Sequence, residues 1–125
     1  MFVTVIEDDG AILAAALTAS GLALANASIQ MFDIIVGASM KRIKNRVLID
    51  PDKTEEDLYD ETECGQMTLG FQPSLEQVAL VSQEGHVNLA NLTKDTKQLS
   101  KLCTELMPIV QSCLVQAMKE QESDK

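Results

Sequence analysis

The chain has 125 residues, of which 46% are hydrophobic and only 3% aromatic, and its formal net charge is −9 at pH 7. This length allows one domain with an aliphatic core built on Ala, Val, Leu, Ile and Met. The negative charge argues against nucleic-acid binding by the chain as a whole, but it permits one local basic patch or binding by an assembly.

The first two predicted elements are a short strand at Phe2–Ile6 and a helix over Ile12–Ala25. The strand is rich in β-branched residues, and it lacks the basic start and the cleavage site of a signal peptide. The helix is mostly Ala and Leu, and Asp8 or Asp9 can cap its first turn. Because its apolar side chains fall on every face, we expect the rest of the fold to bury it. The alternative of a membrane span is disfavoured, since the apolar stretch is short and interrupted.

Two strands with a basic cluster between them follow the helix. Phe32–Met40 and Val47–Ile49 are short apolar runs that predict strands. The basic cluster comprises Lys41, Arg42, Lys44 and Arg46. We expect it to form a turn or hairpin end, which either contacts RNA phosphates or an acidic partner or keeps the hairpin tip soluble.

A hairpin and a long helix are predicted for the second half. The strands Gln66–Phe71 and Leu75–Ser82 flank a turn signal that contains Pro73. We expect the hairpin to end at Glu84-Gly85. An amphipathic helix then begins at Leu89 or Thr93 and ends at Lys119, with Pro108 kinking or splitting it, and Glu120–Lys125 forms a solvated tail. The elements together predict an α+β fold with layered sheet and helices. Its expected core residues are Leu13, Leu17, Leu22, Leu24, Ile34, Ile35, Val36, Leu69 and Val78.

The acidic segment 50–63 could be read as a calcium loop, because four oxygen ligands stand at the first, third, fifth and twelfth positions of such a loop. These residues are Asp50, Asp52, Thr54 and Glu61. Glu55, however, takes the position that requires Gly for a sharp turn, so a solvated acidic loop is the better interpretation. We therefore predict no metal and no cofactor.

The remaining candidate side chains have plain structural interpretations. The cysteines Cys64, Cys103 and Cys113 lack metal-ligand spacing and are expected to be buried or half-buried thiols of an intracellular protein. His86, the one histidine, has no nucleophile in a recognisable motif beside it and is expected at a hairpin edge or helix entry. The Asp8-Asp9-Gly10 run could mark an anion site, but two carboxylates there repel phosphate.

A family resemblance is carried by five segments of the chain. They are Glu7–Gly10, the Ala-rich helix, Met31–Gly37, Leu48–Pro51 and Leu106–Gln111. In these segments the chain resembles the RNase PH-type subunits of the eukaryotic RNA exosome core ring, which have a ribosomal protein S5 domain 2-like fold. The resemblance covers the second half of a domain of about twice this length. It implies that residues 1–120 form the C-terminal half of an RNase PH-like domain, truncated at the N-terminal side, and that residues 121–125 are a tail.

The resemblance also bears on catalysis. Active members of the family bind inorganic phosphate with a Gly-Thr-Arg sequence at the start of the Ala-rich helix, where this chain has Gly10, Ala11 and Ile12. The hydroxyl and the guanidinium are therefore missing. Active members also use two aspartates six residues apart, which here correspond to Asp57 and Glu63. The resemblance thus implies a vestigial acidic pair without a phosphate site, and we expect no catalysis.

What the resemblance implies is a non-catalytic structural subunit that pairs with other RNase PH-type subunits in a hetero-hexameric ring. Such a subunit supports 3′-to-5′ RNA processing and degradation in the nucleus, nucleolus and cytoplasm, meets RNA through the assembled complex, and contacts no membrane. Because the first half of the domain is missing from the match, apolar surface on the Ala-rich helix should be exposed unless a partner covers it. Two alternatives stay open, namely a phosphorolytic exoribonuclease that uses Asp57 and Glu63, and an unrelated α+β interaction module.

Overall fold

The computed structural model of the protein describes residues 1–125 and contains a four-stranded sheet and three helices. The elements in chain order are α1 (Ile12–Asn26), β1 (Val36–Ile43), β2 (Arg46–Ile49), α2 (Lys53–Glu56), β3 (Cys64–Gln72), β4 (Gln77–His86) and α3 (Leu89–Ser123). All neighbouring strands are antiparallel, and their order across the sheet is β2-β1-β3-β4. The predicted α+β layering is confirmed, and none of the helices has the length and hydropathy that a membrane crossing requires.

One face of the sheet carries the hydrophobic core. Side chains alternate between the faces of a strand, so every second residue of β1 and β3 points to the same side. On this side Val36, Ala38 and Met40 of β1 lie opposite Phe71, Leu69 and Met67 of β3. The helix α3 covers them with Leu99, Cys103 and Val110, and these nine side chains form the buried cluster. The core is mostly aliphatic, as the composition predicts, and Phe71 is its one aromatic side chain.

Helix α1 packs on the other face of the sheet, at two glycines that lie opposite each other, Gly37 and Gly70. A Cβ at Gly37 would overlap the backbone of Ala14, and a Cβ at Gly70 would lie 3.2 Å from the side chain of Leu17. The Thr18 hydroxyl accepts a hydrogen bond of 2.9 Å from the Gly37 N–H. This bond lies on the part of β1 that β2 does not cover. Helix α1 therefore contacts the open edge of β1 at Gly37 as well as packing on the sheet.

The burial predicted for α1 is mostly wrong. Only Ala14 and Gly21 are buried along this helix, and Leu13 is 41% exposed. The predicted strand Phe2–Ile6 is also wrong, because no strand is assigned there and Phe2 is fully exposed. A strand needs a neighbour to bond with, and this segment pairs with none of the four strands.

The basic cluster does not form a turn as a whole. The strand β1 starts four residues later than predicted and continues through Lys41 and Arg42, both of which are buried. The turn itself is limited to Lys44 and Asn45, with Lys44 at φ 54. The prediction failed here because the partners that bury these two cations are distant in sequence. The predicted second strand is confirmed as β2.

The second half follows the prediction more closely. The hairpin of β3 and β4 is confirmed, although β4 continues to His86 instead of ending at Glu84-Gly85. Helix α3 runs unbroken through Pro108, and its residues Cys103 and Val110 anchor it to the sheet on both sides of the proline. It ends at Ser123, four residues later than predicted, and residues 120–125 are exposed.

The predicted core residues fall into three groups. Val36 and Leu69 are buried in the cluster, whereas Leu13 and Val78 are exposed. The others are partly buried, namely Leu17, Leu22, Leu24, Ile34 and Ile35. Val78 is exposed because β4 is the last strand of the sheet and most of its residues face solvent.

Candidate functional site

The start of α1 is the position at which, by the family resemblance, active members bind phosphate. Gly10 and Ala11 both have positive φ values, +93° and 51°, and Ala11 is the N-cap of the helix. The Ala11 N–H donates a 2.8 Å hydrogen bond to Oε1 of Glu56, while the Gly10 N–H donates a 3.0 Å bond to Oδ1 of Asp8. The predicted capping of α1 by Asp8 or Asp9 is wrong, since no side chain caps the helix locally. The carboxylate at the helix start comes from α2 instead.

Glu56 is held in place from several directions. Its Oε1 also accepts a 2.7 Å bond from Nε2 of Gln66 in β3, and its Oε2 lies 4.0 Å from Nζ of Lys53. Its backbone carbonyl accepts a 2.8 Å bond from Nζ of the buried Lys41. The short helix α2 is itself fixed by a capping box in which Asp52 and Glu55 exchange side-chain and backbone hydrogen bonds. Glu56 therefore joins α1, β1 and β3 at one point.

A cleft of about 600 Å³ runs beside the start of α1, along the open edge of β1. Its lining includes Gly10, Thr18, Leu22, Ile49 and Leu106, and it is mostly apolar. The one charged side chain of the lining is Asp50, so the cleft contains no cation that could hold a phosphate.

Asp57 and Glu63, which the resemblance matches to the two catalytic aspartates of active members, have separate structural roles. Asp57 is the exposed C-cap of α2, where its backbone N–H continues the helical hydrogen bonding. Glu63 accepts a 2.8 Å bond from Nδ2 of Asn91 and a 3.4 Å bond from the Asn88 N–H, at the start of α3. No three acidic, histidine or cysteine side chains lie in an arrangement that could hold a metal ion. Asp52, one of the calcium-loop positions, caps α2 through the Glu55 N–H.

The four basic residues divide into a buried pair and an exposed pair. Lys41 donates to Glu56, and Arg42 forms a two-point ion pair with Asp95 of α3. Lys44 and Arg46 are exposed, and Nζ of Lys44 lies 3.1 Å from Oδ2 of Asp60. Hydrogen bonds from the Thr62 hydroxyl and backbone, joined by Lys44, hold the pKa of Asp60 well below its usual range. Lys44 and Arg46 therefore remain the candidates for RNA contact.

Two acids with structural contacts at the site, Glu56 and Asp95, escaped the sequence reasoning. Glu56 was hidden among the acids of segment 50–63, and nothing local distinguished it from them. Asp95 did carry a signal, because it precedes Leu99 and Cys103 at intervals of four residues and so lies on the apolar stripe of α3. Its hydrogen bond and charge raise the pKa of Arg42 above its ordinary value. A lone acid on such a stripe predicts a buried cation opposite it.

The cysteines and the histidine form no site. Cys64 and Cys103 are buried and Cys113 is exposed on α3, so the predicted buried thiols are confirmed for two of the three. Burial raises the pKa of the Cys103 thiol to about 11, which makes it unreactive at neutral pH. His86 is exposed at the end of β4, opposite Cys64 across the hairpin. This is the hairpin-edge position that the sequence predicts.

The fold and sequence can now be compared with known proteins. No protein-family model matches the chain. Its fold is similar to the crystal structure of rice (Oryza sativa) Rrp46, with a TM-score of 0.77 over 87% of this chain and 50% of that one, at 18% identity. Its sequence is 38% identical over 85 residues to exosome complex component Rrp41 of Pyrobaculum aerophilum, which is 68% of this chain and 33% of that protein. The chain is therefore a homologue of exosome components and has the RNase PH-type fold.

A further relative narrows the identification. Exosome complex component MTR3 of Mus musculus is 36% identical over 118 residues, which make up 91% of this chain and 42% of that protein. The chain thus spans less than half the length of the curated relatives it matches. The family resemblance predicted from the sequence is confirmed, and so is its subunit type. Within the sequence, Leu48–Pro51 and the segment around Pro108 resemble the mRNA transport regulator three type of subunit, whose short name is MTR3.

Proposed function

We propose that the chain is a non-catalytic structural subunit of an RNA exosome ring. In this role it pairs with other RNase PH-type subunits in a hetero-hexamer and supports 3′-to-5′ RNA processing and degradation, including rRNA maturation and mRNA decay, by an associated nuclease. The homology to MTR3 and Rrp41 supports the ring role. The observation that supports the absence of catalysis is the helix start, where Ala11 and Ile12 provide neither hydroxyl nor cation and the N–H is bonded to Glu56.

The proposal also includes which residues contact RNA and where in the cell the chain works. The exposed Lys44 and Arg46 are the candidates for a phosphate contact within the assembled ring, while the net charge of −9 favours a mainly protein-facing role. The proposed locations are the nucleus, the nucleolus and the cytoplasm, where an exosome subunit is expected to work.

The two alternatives fare differently. The homology removes the hypothesis of an unrelated α+β module. A phosphorolytic exoribonuclease that uses Asp57 and Glu63 is disfavoured, because the Glu63 carboxylate is bonded to the start of α3 and Asp57 is the exposed C-cap of α2. Without a held phosphate the reaction also loses its attacking group.

The test is co-expression with the other RNase PH-type exosome subunits, followed by affinity purification of this chain and native mass spectrometry. We expect one copy in a hetero-hexamer. The purified ring is then given RNA and inorganic phosphate, and we expect no nucleoside diphosphate that depends on this chain. A ring lacking this chain is the control. Absence from the ring contradicts the structural role, and diphosphate release that disappears with Asp57→Asn supports the enzyme instead.

A further inference from the structure

The cleft between α1 and α3 contains the part of the β1 edge that β2 leaves uncovered. In an antiparallel sheet, the N–H and C=O of one residue point to the same side of the strand, and the side alternates from residue to residue. Ser39 points away from β3, because its carbonyl accepts a 2.9 Å bond from the Asp50 N–H just after β2. Gly37 points the same way, and its N–H is bonded to the Thr18 hydroxyl. The Ser39 N–H and the Gly37 carbonyl therefore face the cleft, and no group of the chain is bonded to them.

These two backbone groups call for a partner from outside the chain. Gly37 and Ser39 are both buried, and buried backbone groups without a hydrogen bond are rare because they destabilise a fold. The cleft is lined mostly by apolar side chains, so a water molecule there finds few further groups to bond. A free donor and a free acceptor two residues apart on a strand edge match the backbone of an added strand. The cleft therefore suits an extended peptide.

The walls of the cleft define which side chains such a strand carries. One wall is α1 with Ala15 and Ala19, and the other is α3 with Leu102 and Leu106. Side chains of a strand alternate between its faces, so an added strand places residues against both helices. Strands that are buried on both faces are nearly continuous apolar runs. Because Asp50 is the one charged side chain of the lining, the cleft favours an uncharged apolar segment.

The segment Phe2–Ile6 of this chain has the required composition and no partner. It is uncharged, every residue except Thr4 is apolar, and most of its residues are β-branched. Phe2 is 100% exposed and Ile6 is 97% exposed, so the segment does not fill the cleft of its own chain. The outer edge of β4 is also unpaired, but most residues of β4 are exposed, and water can bond to their backbone groups. The buried edge of β1 gains more from an added strand.

We propose that Phe2–Ile6 of a second copy of this chain adds to β1 at Gly37–Ser39 as a strand and fills the cleft. Each copy has one exposed segment and one open edge, so a reciprocal exchange between two copies leaves neither of them unpaired. The exchange goes beyond the proposed ring role and does not rest on it, because it describes two copies of the isolated chain.

The test uses two variants of the chain, each with one half of the contact blocked. Val3→Asp combined with Val5→Asp puts charges into the segment, and Ala15→Glu puts a charge into the cleft. All three positions are exposed, so both variants should fold. Light scattering after size-exclusion chromatography should give twice 13.6 kDa for the natural chain and 13.6 kDa for each variant. Mixing the two variants should restore a dimer, because one keeps the cleft and the other keeps the segment.

Two controls and one spectrum locate the contact. Ala23→Glu adds the same charge to α1 outside the cleft, and Gln121→Asp with Ser123→Asp adds two charges to the exposed end of α3, so both controls should remain dimers. In a ¹⁵N–¹H spectrum of the labelled segment variant, unlabelled Ala15→Glu chain should shift the Ser39 amide and leave the amides of β4 unchanged.

Several outcomes overturn the exchange. They are a natural chain that stays at 13.6 kDa at every concentration, a mixture of the two variants that stays monomeric, and a spectrum in which only amides of β4 move. If Ala15→Glu does not fold, Ala19→Glu takes its place, since Ala19 is exposed on the same wall of the cleft. Entry into the ring is measured separately. A chain that dimerises but stays outside the ring contradicts the proposed function alone, and a monomer that enters the ring contradicts the exchange alone.

Discussion

The ion pair between Arg42 and Asp95 ties the sheet to α3, and its removal should be the most damaging single change to a charge in this protein. Nε of Arg42 lies 2.8 Å from Oδ2 of Asp95, and Nη2 lies 2.5 Å from Oδ1. The two side chains are 9% and 4% exposed. The change Asp95→Ala leaves the guanidinium buried, with only the Lys44 carbonyl at 3.5 Å as a further acceptor.

The loss of stability in Asp95→Ala comes from the Arg42 guanidinium, which is left without its carboxylate partner. Removing one partner of a buried ion pair costs about 3–5 kcal/mol, because the other charge stays desolvated. Arg42 does not escape by losing its proton, because a guanidinium stays protonated in proteins even without a partner acid. A domain of this size has a free energy of unfolding of roughly 6–19 kcal/mol. We therefore expect Asp95→Ala to lose a large share of the total stability.

The assay is urea unfolding followed by far-UV circular dichroism. The matched control is Glu105→Ala, which removes an exposed pair on the same helix, with 3.9 Å between Lys101 Nζ and Glu105 Oε1. That change should cost less than about 0.5 kcal/mol. The double variant Arg42→Met with Asp95→Leu should recover most of the loss, because two packed apolar side chains need no partner. If Asp95→Ala unfolds within about 1 kcal/mol of the natural chain, the reasoning from burial is refuted.

Two further predictions concern the edge of β1 and the buried thiol. Thr18→Val should lower the free energy of unfolding by about 1–3 kcal/mol, because the Gly37 N–H then lacks an acceptor. The control is Thr104→Val in the same urea assay. The Thr104 hydroxyl only donates to a carbonyl of its own helix, so its loss should change the free energy of unfolding little. An equal cost for both contradicts the edge contact. Iodoacetamide at pH 8 should modify the exposed Cys113 and leave the buried Cys103 unmodified. Cys103 should react only as the pH approaches its raised pKa of about 11. Peptide mass spectrometry measures the labelling of each cysteine. Equal labelling of the two thiols at pH 8 contradicts the burial.

The local sequence pattern was sufficient to predict an element where that element pairs with a neighbour in the sequence or has a clear periodicity of its own. The hairpin of β3 and β4 follows from alternating apolar residues around a Pro73 turn, and α3 follows from its helical periodicity. The strand expected at Phe2–Ile6 has the right residues but no partner strand, so propensity alone could not decide it.

The candidate site depended on contacts that no local pattern contains. Glu56 reaches Ala11 across 45 positions of the sequence, and Arg42 reaches Asp95 across 53. The sequence contains many acids, and it does not show which of them, here Glu56, is hydrogen bonded to the start of α1. The family resemblance contributed one expectation about this position, that Ala11 and Ile12 lack the hydroxyl and the cation with which active members bind phosphate, and it stays a prediction.

The surface of α1 links the fold to the proposed role. The helix is fixed to the sheet on the side of Gly37 and Gly70, yet most of its other side chains are exposed or half-buried. This confirms the apolar surface that the sequence predicts for the Ala-rich helix. Phe32 in the following loop is 96% exposed. Isolated soluble proteins rarely leave large contiguous apolar patches in water, whereas subunits of an assembly place them at their contacts. The exposed side chains of α1, together with Phe32, are therefore the surface at which the proposed function expects a partner subunit.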